Sequence, residues 1–158
     1  CTYVGIDKVT IMPYNEHFHR LIIYFDGASR HNPHGPAGCG WAIYEMDRNG
    51  ADDGRIAHGQ CYLGYDVSNN QAEYQGLSEA LEYLETNFIS CHGLYIRGDS
   101  EIVLKQLDGI YQVHSHNIRD YYDDVVNRLD SIDMTFVKYT HIDRSRNYEA
   151  DGLANDAI

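Results

Sequence analysis

Positive charge is scarce in this chain of 158 residues: 12 Lys plus Arg stand against 24 Asp plus Glu, a net charge of −12 with histidines neutral. Only Lys8, Lys105 and Lys138 are lysines. That balance excludes a polybasic membrane patch, and it excludes a grip on nucleic acid built from bulk positive charge, because phosphate binding recruits Lys and Arg. Long hydrophobic runs are missing as well. The apolar stretch Leu21 to Phe25 is far shorter than the roughly 20 residues a bilayer-spanning helix needs. Residues 1–7 lack the basic start and apolar run of a secretory leader, and no Asn-x-Ser/Thr sequon occurs, so an intracellular chain, cytoplasmic or nuclear, is expected. Cys1, Cys39, Cys61 and Cys91 form no CxxC pair, which disfavours a zinc knuckle or dithiol motif and leads to an expectation of reduced thiols. No repeat, low-complexity tract or Pro/Gly/Ser linker divides the chain. What remains is ordinary globular composition, 43% hydrophobic and 23% charged, expected to fold as a monomer.

Patterning along the chain gives an element order. Residues 1–19 form a mixed, His-containing lead-in with two open fates, an extra edge strand or a loose segment. From residue 20 a single domain is expected, extending to 158. Leu21-Ile22-Ile23-Tyr24-Phe25 is continuously apolar, the pattern of a strand covered on both faces, and it ends in Asp26-Gly27. Residues 28–38 are turn-rich, and Cys39 to Met46 and Arg55 to Leu63 predict two further strands joined by a short polar turn. Leu77, Ala80, Leu81, Leu84 and Phe88 recur at helical spacing within a helix from about Asn70 to Thr86. A strand at Leu94 to Ile96, helices over Ser100–Leu107 and Asn117–Leu129, a strand at Met134 to Tyr139 and a last helix from about Asn147 follow. The order βββαβααβα predicts an α/β fold: a mixed five-stranded sheet, three antiparallel strands then parallel additions, flanked by helices.

Four carboxylates stand where burial is expected. Asp26 closes the most apolar strand, Glu73 lies one turn before Leu77 on the buried stripe, Asp99 ends the fourth strand, and Asp151 is in the first turn of the last helix. Each would cost several kcal/mol if buried charged and alone, and together they would raise one another's pKa unless a cation neutralised them. Taken singly, each is a common strand-end or helix-cap acid. As a set, with oxygen donors and no His/Cys ligand group, they suit Mg²⁺ or Mn²⁺. Two such ions about 3.5–4 Å apart are a recurring device for phosphodiester cleavage.

Phe25-Asp26-Gly27-Ala28-Ser29-Arg30 with Asn32-Pro33, then Asn69-Asn70-Gln71-Ala72-Glu73-Tyr74, then Gly98-Asp99-Ser100, then His141-Ile142-Asp143-Arg144 with Asn147 and Ala150-Asp151-Gly152-Leu153-Ala154-Asn155 together resemble the four motifs of type 1 ribonuclease H, in the family's order and over nearly the whole chain. The resemblance implies an endonuclease that cuts the RNA strand of an RNA–DNA hybrid by two-metal-ion catalysis, leaving 3′-hydroxyl and 5′-phosphate ends. It implies that Asp26, Glu73, Asp99 and Asp151 bind the metals, and that His141, a flexible-loop histidine in the family, serves proton transfer or product release. An exposed loop histidine is otherwise commonly inert.

Telling RNA from DNA requires contacts to 2′-hydroxyls across a wide, shallow minor groove. Asn32, Ser68, Asn69 and Asn70 match family positions used in this way, with Ser68 a candidate for a DNA phosphate. The alternative is that Ser68 and Asn69 merely cap the helix carrying Glu73. Arg30, Arg144 and Arg146 supply the remaining phosphate contacts. Glu101 stands where the family often has Gln, which removes one expected 2′-hydroxyl contact. Between Leu107 and Tyr121 the Lys- and Trp-rich handle of many members is replaced by a segment with one Arg and no Lys or Trp. That resembles the handle-less archaeal-type and plant ribonuclease H-like subgroup, some of whose members also cut RNA–RNA duplex, and it leaves room for a partner protein with basic surface.

Overall fold

The computed structural model describes the backbone of residues 2–6 and all of residues 16–158. The elements are β1 (Thr2–Ile6), β2 (His17–Ser29), β3 (Ala37–Met46), β4 (Asp52–Gly64), α1 (Asn69–Thr86), β5 (Ser90–Gly98), α2 (Glu101–Leu107), α3 (His116–Ser131), β6 (Met134–His141), a 3₁₀ turn at Arg144–Arg146 and α4 (Tyr148–Asp156). Across the sheet the order is β1-β4-β3-β2-β5-β6. β2, β3 and β4 run antiparallel, and β5 and β6 add in parallel. The expected five-stranded mixed sheet is therefore β2 to β6. A sixth strand, β1, pairs antiparallel with β4 at the edge, so part of the lead-in joins the sheet. Residue 1 and residues 7–15 lie outside the described residues.

β2 begins four residues before the apolar run that announces it. His17, Phe18 and Arg20 already pair in parallel with Ser90, Cys91 and Gly93. Phe18 turns into the core between exposed His17 and His19, an alternation that only the partner strand stabilises. Farther along, Leu21, Ile22, Ile23 and Phe25 are fully buried, as a central strand covered on both faces requires. Leu21, Ile23 and Phe25 join the core formed with α1, α2 and α3 through Leu77, Leu81, Leu84, Val103, Val125 and Leu129. α4 packs on the other face, over β2, β3 and β4.

Two close approaches fix the helices to the sheet beside the carboxylates. A Cβ on Gly27 would overlap the backbone of Ala72 and Glu73, and one on Gly40 would lie 2.6 Å from the Leu153 Cβ. Only side-chain-free positions there let α1 and α4 settle onto the ends of β2 and β3. Cys39 and Cys91 are free and buried, but Cys61 is disulfide-bonded, so the expectation of reduced thiols throughout does not hold. Sequence scatter hides which cysteines a fold brings within bridging distance. Among the described residues no helix is long and apolar enough to cross a membrane.

Candidate metal centre and active-site cleft

Four elements each deliver one carboxylate to a single cleft of about 450 Å³. Asp26 sits near the end of β2 and is 4% exposed; Glu73 sits in the second turn of α1 and is 8% exposed. Asp99 follows β5 directly, and Asp151 lies in the first turn of α4. One carboxylate oxygen from each of Asp26, Glu73 and Asp99 falls within 4.8 Å of the others. Asp151 completes the group by lining the same cleft.

The helices are secured so that these side chains converge. Ser68 caps α1 by accepting from the Gln71 N–H at 3.1 Å, while the Ser68 N–H donates to Gln71 Oε1 at 2.9 Å, a reciprocal capping box. Ser100 caps α2 immediately after Asp99. Asn147, 1% exposed, donates from Nδ2 to the Phe25 carbonyl at 2.9 Å and so ties the start of α4 to the strand carrying Asp26.

Electrostatically the cleft is unbalanced. Burial pushes the Asp26 carboxyl up to about 7, aided by the charge of Asp99 and the nearby Asp151; hydrogen bonds from Glu73 and the Gly27 N–H oppose the rise. Burial, then the charge of Asp26, raises Glu73 well above the usual carboxylate range. Without a cation, burial and the neighbouring carboxylate charges both oppose ionisation of this pair. Glu73 Oε2 is buried with no hydrogen-bond partner among the described residues. A lone buried oxygen amid oxygen-only donors fits a hard divalent cation, and the four carboxylates would hold it.

Around this centre, Asn32 Oδ1 accepts from the Asn69 N–H at 3.0 Å, and Asn69 Oδ1 accepts from the Ser29 N–H at 2.9 Å. The loop after β2 is thereby clipped to the start of α1. Asn69 also lines the cleft, Ser68 is used as the helix cap, and Asn70 is half-buried in the first turn. Arg30 donates to Asn155 Oδ1 at 3.2 Å, and Arg144 donates to Asp151 Oδ1 at 3.3 Å; both arginines line the cleft. Ser29 and Asn155 are cleft residues that sequence reasoning did not single out, although both fall inside the quoted motifs. His141 is the last residue of β6, exposed, with Nε2 3.2 Å from the Asp99 carbonyl oxygen, at the lip of the cleft rather than in its lining. Glu101 is exposed and bonded to Lys105. Residues 108–115 connect α2 to α3 directly, with no handle between them.

The family model described as reverse transcriptase-like matches residues 24–157. The crystal structure of RNase H1 from the halophilic archaeon Halobacterium salinarum aligns with a TM-score of 0.74 at 38% identity, covering 87% of this chain and 96% of that one. The chain belongs to the type 1 ribonuclease H family. It is also 37% identical over 139 residues to the ribonuclease HI of Halobacterium salinarum, an alignment covering 88% of this chain and 64% of that protein. LC11-RNase H1, solved in complex with an RNA/DNA hybrid, aligns with a TM-score of 0.74 at 32% identity over 87% of this chain and 96% of its own. The chain spans 64% of the Halobacterium protein and 58% of a Bacillus subtilis relative, so it corresponds to part of the length of those two proteins.

Proposed function

We propose that this chain is an endoribonuclease that hydrolyses the RNA strand of RNA–DNA hybrids, with two Mg²⁺ or Mn²⁺ ions held by Asp26, Glu73, Asp99 and Asp151. The observation that carries the reading is the convergence of Asp26, Glu73 and Asp99, beside Asp151 in the same cleft, around a buried Glu73 oxygen with no hydrogen-bond partner among the described residues. When bound, the ions supply Lewis-acid stabilisation of charge developing on the scissile phosphate. The chain's own groups then bind and orient. Asn32 and Asn69 have their side-chain oxygens engaged in clipping the loop, which leaves their amide N–H groups for 2′-hydroxyls and base edges in a shallow minor groove. Arg30 and Arg144 flank the carboxylates and suit phosphate oxygens. Attack of water on phosphorus with departure of the 3′ oxygen leaves 3′-hydroxyl and 5′-phosphate ends, and His141 at the lip carries a proton to or from the reacting groups.

The handle-less α2–α3 connection and the net charge of −12 support weak, salt-sensitive hybrid binding unless a basic partner assists. Incubation with end-labelled hybrid in Mg²⁺, in Mn²⁺ and in EDTA tests the reading. Cutting of the RNA strand in either metal and none in EDTA is expected; intact hybrid in both metals would overturn it. An RNA–RNA duplex beside the hybrid measures how strict the substrate choice is.

A further inference from the structure

On β5 and β6, Leu94, Ile96, Val137 and Tyr139 turn into the core, so the alternating residues Tyr95, Arg97, Phe136 and Lys138 stand on the opposite face of the sheet. That is the face on which α4 covers β2, β3 and β4. Beyond α4 it carries a cluster of rings. Phe136 is 38% exposed, and its ring leans over Gly93, where a Cβ would come within 2.5 Å of it. It meets His92 and Tyr95 edge to face, with centroids 5.5 and 5.8 Å away. His92 in turn stacks on His19 at 5.3 Å with the planes 3° apart.

The two cations of this face stand outside the ion pairs that engage other cations of the chain. Elsewhere Lys105, Arg119, Arg128 and Arg144 pair with carboxylates. Here neither Arg97 nor Lys138 has a carboxylate partner among the described residues: Arg97 donates to the Tyr24 hydroxyl at 3.1 Å and lies over the Tyr24 ring, and Lys138 is exposed. The carboxylates nearest Tyr24 and Tyr44 are already engaged, Asp52 by the Tyr24 hydroxyl and Glu149 by the Tyr44 hydroxyl and Arg55. Tyr24 and Arg97 precede Asp26 and Asp99 by two residues. The face therefore starts at the cleft and runs from the Arg97 row to the Gly93 row over about 13 Å.

We propose that this face of β5 and β6 is a second nucleic-acid site, a stacking platform for the single-stranded flank of a duplex held at the cleft. Aromatic faces stack on bases of any identity, while cations beside them track the phosphates. A flat sheet bearing rings is a surface on which unpaired bases can be splayed and read. A protein interface would centre on a broader apolar patch, whereas the exposed apolar surface here is the Phe136 ring framed by imidazoles and cations. The position beside the cleft rests on the function proposed above; binding of a single strand does not.

Fluorescence anisotropy of the full chain with labelled single-stranded RNA and DNA decamers, at low salt and in EDTA, tests the platform without calling on metal-dependent chemistry. Wild type is expected to bind at least one decamer, and the tighter of the two identifies the flanking strand. Phe136→Ala should weaken that binding about tenfold, Phe136→Tyr should keep it, and Lys138→Gln should lower the salt slope by about 0.7. Cleavage of blunt hybrid should be unchanged by Phe136→Ala. Decamer binding without any hybrid cleavage would sink the nuclease reading and leave the platform standing. Failure of wild type to bind either decamer, or equal binding by Phe136→Ala and wild type, would overturn the platform. So would a wild-type dimer in sedimentation that Phe136→Ala dissolves, since the face would then belong to a second copy.

Discussion

Two clusters of acids lie on α1, and they are built on opposite principles. In the seam between α1 and α3, Glu82, Glu85 and Asp124 surround the Arg128 guanidinium, at 3.9, 3.1 and 3.4 Å. Ser78 and Ser131 add hydroxyl donors to Asp124 and Glu85, and Arg128 Nε donates to Ser78 Oγ at 3.1 Å. One turn or more earlier on the same helix, Glu73 meets Asp26 and Asp99 with no cation at the centre, and Arg144 reaches only Asp151 at the edge. The seam brings its own counter-charge and fastens two helices. The cleft leaves its carboxylates high in pKa and one oxygen unpartnered. An uncompensated acid cluster lowers the stability of a fold, so its presence on a well-packed scaffold points to a role for a cation from outside.

Substitutions can break or sharpen this contrast. The largest effect is expected from Asp26→Asn, which should reduce hybrid cleavage by at least about a thousandfold, or about 4 kcal/mol of barrier, in a single-turnover assay, while leaving the fold intact by circular dichroism. His141→Ala should slow turnover by about a hundredfold with hybrid affinity unchanged; a wild-type rate would make His141 inert. In the seam, Arg128→Ala should destabilise by about 1–3 kcal/mol in urea unfolding, since three carboxylates and a serine lose their shared donor. Its cleavage rate per folded molecule should match wild type, and a lost rate would erase the distinction between the clusters. The smallest effect is the pH dependence. A carboxyl held at about 7 in the folded state binds its proton more tightly than in the unfolded chain. The metal-free protein should therefore lose stability as pH rises from about 4 through about 7, by about 1–2 kcal/mol between pH 5 and pH 7. Asp26→Asn should flatten that fall.

Asp26 and Glu73 stand out in the sequence because each breaks a local rule: Asp26 ends a run of buried apolar residues, and Glu73 interrupts an apolar stripe; Asp99 and Asp151 stand out only through the motifs around them. The long helix followed from the spacing of Leu77, Leu81 and Leu84, a short-range signal. What escaped depends on partners distant in sequence. β1 and the start of β2 exist through pairing with β4 and β5, and residues 17–20 carry no pattern that announces it. The clip from Asn32 to Asn69 to Ser29 spans about forty residues of chain. Arg128 is one more helical cation until α3 lies against α1, and Phe136 is one more strand residue until parallel pairing sets it across from Gly93. His141 was placed by motif position, whereas its setting at the end of β6 follows from strand pairing with Gly98.

The contrast between the clusters reduces to one measurement: thermal unfolding of wild type and Asp26→Asn at pH 8, in EDTA and in Mn²⁺. If the cleft lacks a counter-charge that a divalent ion supplies, Asp26→Asn melts above wild type in EDTA, and Mn²⁺ reverses the order by stabilising wild type alone. Wild type melting above the variant in EDTA, or an equal shift of both in Mn²⁺, would contradict the assignment of these four carboxylates to a metal centre.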